Sequence, residues 1–123
     1  MSTVLIVDDD PLFREVVAEI LTAADHRVLL ASGVHEALRL IRLDKPEVIL
    51  TDQMMPDLDG LSFIHRLRSD REWADVRVIV VSAKAAPEDI ERARKAGAND
   101  YLAKPFSAAE LRAKLERPRL PVT

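Results

Sequence analysis

Apolar positions along the chain follow two alternating periods. Five short runs rich in Val, Ile and Leu fall at Thr3 to Val7, Arg27 to Ala31, Glu47 to Thr51, Val76 to Val81 and Tyr101 to Ala103. Each is followed by a stretch in which apolar residues recur at helical spacing. That alternation predicts an α/β fold of the (βα)5 type, a doubly wound parallel sheet between two layers of helices. The first, third and fourth runs are almost purely apolar, which requires burial on both faces and predicts central strands; Arg27 at the head of the second makes it an edge candidate.

The helical stretches carry their own start and stop signals. The first has Phe13, Val16, Val17, Ile20, Leu21 and Ala24 on an apolar face behind Pro11, a residue tolerated in a first turn. The second runs from Val34 to Leu43 with Ala37, Leu38 and Ile41 inward, closed by Lys45-Pro46. A third begins after Gly60 with Leu61, Ile64 and Leu67 on one face. The fourth opens at Pro87, carries Glu88 and Asp89 in its first turn and ends at Gly97. Ser107 and Glu110 have the spacing of a capping box for the fifth, which Pro118 stops. One domain is expected over residues 1–117, with 118–123 as a tail or linker.

Composition narrows the chemistry. The chain has 123 residues, 48% of them hydrophobic, enough for one autonomous core. The net charge of −3 comes from 18 basic and 21 acidic residues scattered throughout, so no nucleic-acid surface is expected. The absence of cysteine excludes disulfides, thiolate metal sites and cysteine nucleophiles. No apolar run is long enough to span a bilayer, and the chain enters its first strand without the regions of a secretory signal, so a cytoplasmic location is the expectation.

In an open parallel sheet, ligands bind beyond the carboxyl ends of the strands. The first strand ends in Asp8-Asp9-Asp10, the third in Asp52, the fourth in Ser82-Ala83 and the fifth in Lys104-Pro105. Carboxylates gathered at one edge repel each other, and a hard divalent cation with oxygen preference, such as Mg2+, relieves the conflict. Asp52 then has the chemistry of a carboxylate nucleophile toward a phosphoryl group, with the cation, the Lys104 ammonium and the Ser82 hydroxyl available to neutralise its oxygens.

The segments Val7-Asp8-Asp9-Asp10, Thr51 to Gly60, Val81-Ser82-Ala83 and Lys104-Pro105-Phe106 resemble, in order, the four signatures of bacterial response-regulator receiver domains. The resemblance covers residues 3 to about 117. It implies a flavodoxin-like, five-stranded sheet of order 2-1-3-4-5 and a cis Lys104–Pro105 bond. It also implies phosphoryl transfer from a sensor histidine kinase or phosphotransfer protein onto Asp52, with no other enzymatic activity. Asp9, Asp52 and the backbone carbonyl of Met54 would hold Mg2+ directly and Asp8 mainly through water, with Mn2+ as a substitute. Ser82 and Lys104 would contact the phosphoryl group, and Ser82 with Tyr101 would form the switch. A downstream effector, an output domain or a second copy would read the face made by the fourth helix, fifth strand and fifth helix. Met54 and Lys84, two residues beyond the acceptor and the hydroxyl, offer no group to orient an attacking water, which predicts slow self-dephosphorylation.

Several residues read more simply. Asp10 suits a cap on the first helix, and Asp57 and Asp59 suit a turn with Pro56 and Gly60. His26, His35 and His65 are scattered, and Trp73 reads as a packing residue. From its residues alone Tyr101 is equally a half-buried strand aromatic. The rival function is a haloacid-dehalogenase-type enzyme whose nucleophile is in the Asp8-x-Asp10 pattern, but Leu12 stands where Thr or Val is expected and no cap segment is inserted. A receiver-shaped module that never uses phosphate is the third reading.

Overall fold

The computed structural model describes residues 2–53 and 59–116. Its strands are β1 (Thr3–Val7), β2 (Arg27–Ala31), β3 (Val48–Thr51), β4 (Arg77–Ser82) and β5 (Asp100–Ala103). They alternate with α1 (Pro11–Ala23), α2 (Val34–Leu43), α3 (Gly60–Arg68), α4 (Pro87–Ala96) and α5 (Ala108–Leu115). All pairings are parallel and the order is β2-β1-β3-β4-β5, so the apolar runs β1, β3 and β4 are indeed central and β2 is an edge. The tail at 118–123, the boundary at 117, Pro118, Pro56 and Asp57 lie outside the described residues.

The period-two geometry of the strands divides the core in two. Leu5, Val7, Ile49, Val78 and Val80 face α2, α3 and α4, where they pack with Leu38, Ile41, Phe63, Ile64 and Leu67. Val4, Ile6, Leu50, Ile79 and Val81 point the other way and pack with Val17 and Leu21 of α1 and Leu111 of α5. The result is the three-layer sandwich the alternation predicts. The α1 face is narrower than its periodicity suggested: Val17 and Leu21 are buried, whereas Leu12 and Val16 remain exposed. In α3, Phe63 is a core residue that the sequence reading passed over, and it is buried more fully than Leu61.

Caps place the helices over the strand ends. Asp10 accepts hydrogen bonds from the Leu12 and Phe13 amides at 3.0 and 3.4 Å and starts α1 immediately after the acidic run. Asp59, expected as a turn former, caps α3 by accepting from the Leu61 amide at 2.9 Å. The Ser107–Glu110 capping box is present. Gly97 ends α4 at φ 114°, in the left-handed region that favours glycine.

Arg68, at the end of α3, was not singled out by the sequence. Its guanidinium donates to the carbonyls of Gly97, Ala74 and Val76 and to Asn99 Oδ1, at 2.6–3.0 Å, and so ties α3 to the α4–β5 connection. Asn99 Oδ1 also accepts from the Val78 amide at 2.8 Å, joining that knot to β4. Trp73 is buried as a packing residue, as expected, in the core layer beneath α2 and α3.

Gly60 allows α3 to begin directly against the acceptor strand. Its amide donates to the Gln53 carbonyl at 2.9 Å, and a Cβ there would lie 2.2 Å from the Asp52 carbonyl oxygen and 3.0 Å from Gln53 Cα. Both obstacles are backbone, so Gly60→Ala is expected to cost about 1–3 kcal/mol of stability. Urea denaturation measures it, and an unchanged midpoint would contradict so close an approach.

Candidate functional site

The β1–β3 register sets Val7 opposite Thr51, and the Asp52 amide donates to the Val7 carbonyl at 3.0 Å. Asp8 and Asp52 therefore leave adjacent strands side by side. One carboxylate oxygen from each of Asp8, Asp9 and Asp52 lies within 4.8 Å of the others. Asp9 is exposed and Asp52 half-buried, but Asp8 is only 2% exposed. Its Oδ1 accepts from the Asp10 amide at 2.9 Å, and its backbone carbonyl accepts from Arg14 Nη1 at 2.6 Å.

β5 delivers the countercharge. Ser82 pairs with Ala103, and the Lys104 amide donates to the Ser82 carbonyl at 2.9 Å, so Lys104 emerges beside the acidic cluster. The Lys104–Pro105 bond is cis, as the resemblance implied. The ammonium donates to Asp8 Oδ2 at 3.1 Å and to Asp52 Oδ2 at 3.2 Å. Its other flank stands 4.0 Å from the centroid of the Phe13 ring, which in turn meets Phe106 edge-on at 5.9 Å. This aromatic wall links α1 to the residues after β5, and it was not legible in the sequence.

The electrostatics follow from burial and company. Burial pushes the Asp8 carboxyl above its ordinary range, and the nearby Asp52 charge adds to that; the Asp10 amide and Lys104 only partly offset it. For Lys104, burial favours the neutral form, yet the Asp8 and Asp52 carboxylates outweigh it and raise the pKa. Lys104 is thus a committed cation between two carboxylates.

Ser82 is buried at the end of β4, where its Oγ accepts from the Lys84 amide at 3.2 Å. Tyr101 is half-buried; its hydroxyl meets Gln53 Oε1 at 3.1 Å and donates a short hydrogen bond to the Lys84 carbonyl. Burial raises the phenol pKa, partly offset by the Ser82 hydroxyl. Both readings of Tyr101, a half-buried strand aromatic and a group near Ser82, are therefore compatible with its position. Six of the seven expected site residues converge on one sheet edge: Asp8, Asp9, Asp52, Ser82, Lys104 and Tyr101. Met54 lies outside the described residues. Gln53, which the sequence reading passed over, is buried among them.

The donor set suits a hard cation. One oxygen from each of the three carboxylates lies within 4.8 Å of the others, one carboxyl is buried against its own ionisation, and among the described residues the cluster contains oxygen ligands alone.

Residues 4–116 match the sequence profile of the response regulator receiver domain. The chain belongs to that family. This receiver domain is 37% identical, over 115 residues, to the phosphate regulon transcriptional regulatory protein PhoB of Pseudomonas aeruginosa, covering 94% of the chain and 50% of that protein. It is 40% identical to the KDP operon transcriptional regulatory protein KdpE of Escherichia coli, with the same coverage. The chain thus spans about half the length of these curated relatives. Among solved structures, the chemotaxis protein CheY4 of Vibrio cholerae superimposes with a TM-score of 0.90 at 29% identity, covering 95% of this chain and 98% of that one. The receiver domain of sensor histidine kinase PA1611 from P. aeruginosa PAO1, which has a magnesium ion coordinated in its active site cleft, gives 0.86 at 35% identity over 94% and 95% of the two chains. Family membership decides between the receiver and the dehalogenase-type readings of the acidic run in favour of the receiver. Among the described residues, no helix is long and apolar enough to cross a membrane.

Because burial raises the Asp8 pKa in the folded receiver, ionising Asp8 opposes folding. Its contribution is most favourable below the ordinary carboxylate range and is lost as pH rises through the raised folded value. Asp8→Asn is expected to stabilise the metal-free protein at neutral pH, by on the order of 1 kcal/mol, and to flatten this part of the pH profile. Denaturation in chelator at several pH values checks it; a destabilised variant at neutral pH would contradict it.

Proposed function

We propose that this receiver domain accepts a phosphoryl group on Asp52 from the phosphohistidine of a sensor histidine kinase or phosphotransfer protein. The single observation that carries the reading is the Lys104 ammonium bridging Asp8 and Asp52, with Asp9 completing the carboxylate cluster. Asp8, Asp9, Asp52 and the Met54 backbone carbonyl are the residues to hold Mg2+, or Mn2+ in its place. The metal, when bound, supplies positive charge to the carboxylates and to the incoming phosphoryl oxygens.

The chain's own groups account for the rest. An Asp52 carboxylate oxygen forms the bond to phosphorus while the bond from phosphorus to the donor nitrogen breaks, and its electron pair leaves with the imidazole. Lys104, already paired with Asp52, is placed to follow the charge onto a phosphoryl oxygen. Ser82, next to Lys104 across the β4–β5 ladder, has a hydroxyl to donate to another. The domain then acts as a phosphoacceptor that promotes only its own phosphorylation and dephosphorylation.

The added charge would draw Ser82 toward the phosphoryl group and let Tyr101 settle behind it, altering the face formed by α4, β5 and α5. A downstream effector, an output domain or a second copy of the chain reads that face. Residues 1–117 form the receiver unit, 118–123 a tail or linker, and the setting is cytoplasmic.

Incubation with acetyl phosphate and Mg2+, followed by intact-mass measurement, is expected to add one phosphoryl group to the wild type and none to Asp52→Asn. Labelling of that variant at full yield would refute the acceptor. In the same experiment, Met54→Asn with Lys84→Glu is expected to shorten the lifetime of the adduct, because both introduce groups able to orient water; an unchanged or longer lifetime would contradict slow self-dephosphorylation.

A further inference from the structure

Gln53 follows the acceptor directly and is 4% exposed. Its backbone packs closely against the start of α3, since its carbonyl accepts the Gly60 amide at 2.9 Å and a Cβ at Gly60 would lie 3.0 Å from Gln53 Cα. Its side chain reaches across to the Tyr101 hydroxyl at 3.1 Å, and that hydroxyl also meets the Lys84 carbonyl. The Lys84 amide in turn donates to Ser82 Oγ. A continuous polar chain thus runs from the acceptor loop through the tyrosine to the loop carrying the serine.

A phenol has one proton and two acceptor lone pairs. The Lys84 carbonyl, the nearer acceptor, takes the proton. A half-turn of the Gln53 amide then presents its NH2 group to the phenol oxygen, so that both contacts of the Tyr101 hydroxyl become hydrogen bonds. A buried amide without a partner is costly, so moving Tyr101 outward would leave Gln53 stranded. We infer that Gln53 is a positioning residue that holds Tyr101 inward before any phosphorylation, coupling the acceptor loop to the tyrosine by a path separate from Ser82. Its regulatory consequence rests on the function proposed above: the resting domain is already biased toward the inward state, and Gln53 sets that bias.

Tyr101 is the only tyrosine in the chain, so labelling tyrosine gives one ring to observe. Three-bond couplings in the full-length, unphosphorylated protein measure its χ1 populations. The inward rotamer is expected to dominate in the wild type. Gln53→Met, which keeps the length of the side chain and removes its amide, is expected to raise the outward-to-inward ratio about fivefold, as for the loss of one net hydrogen bond. In a Tyr101→Phe background, read by phenylalanine labelling with the ring at position 101 assigned, the same substitution is expected to leave the ring rotamer unchanged, which a purely packing role for Gln53 would not predict. Equal χ1 populations in the wild type and Gln53→Met would overturn the inference. Should Gln53→Met not fold, exchange of the Gln53 side-chain amide protons supplies the test: faster exchange in Tyr101→Phe than in the wild type is expected, and equal rates overturn the pairing. Formation of the aspartyl phosphate by the wild type reports separately on the proposed function, so either can fail alone.

Discussion

The site depends on one ammonium placed between two carboxylates. Parallel pairing of β1 with β3 forces Asp8 and Asp52 to leave the sheet together, and the burial of Asp8 removes water that would screen its charge. Lys104 arrives from 96 residues away to hold both. At an effective dielectric constant near 20, each contact is worth about 5 kcal/mol of gross attraction, much of it offset by desolvation. The arrangement therefore does less to stabilise the fold than to keep acidic groups close at a place where their charge can be used. It also leaves negative charge in excess, three carboxylates against one ammonium, which is the condition that favours a divalent cation.

The scaffold around this arrangement is braced by specific contacts on each side. Asp10 begins α1 two residues after Asp8, Gly60 brings α3 against the acceptor backbone, and Phe13 with Phe106 supports the lysine from behind. Arg68 performs a comparable task at the opposite end of α3, fastening it to the α4–β5 connection. The α4–β5–α5 face is thus attached at one end to the charged site, through Tyr101 and Lys84, and at the other to the core.

Most of the fold was legible because period decided it. Apolar runs buried on both faces marked the central strands, and Pro87, Gly97 and the Ser107–Glu110 pair marked helix ends to within a residue. The acidic cluster was legible for the same reason: once the strands are parallel, their carboxyl ends must share an edge. What escaped depends on long-range packing. Gln53 looks like an ordinary loop residue until Tyr101, 48 residues away, is folded over it. Arg68 looks like one more cation on a helix surface until its four partners surround it. Val16 fits an apolar stripe yet stays exposed, because periodicity gives the direction of a side chain but not the extent of the layer that covers it.

The central claim is that parallel strand ends assemble a cation site from Asp8, Asp9 and Asp52. Diffraction from crystals grown with Mn2+, recorded where manganese scatters anomalously, tests it most directly. A single strong anomalous peak in the cleft among the three carboxylates, within coordination distance of Asp9 and Asp52, is the expected result. A cleft with no peak at saturating Mn2+, or a peak bound elsewhere on the surface, would contradict the account.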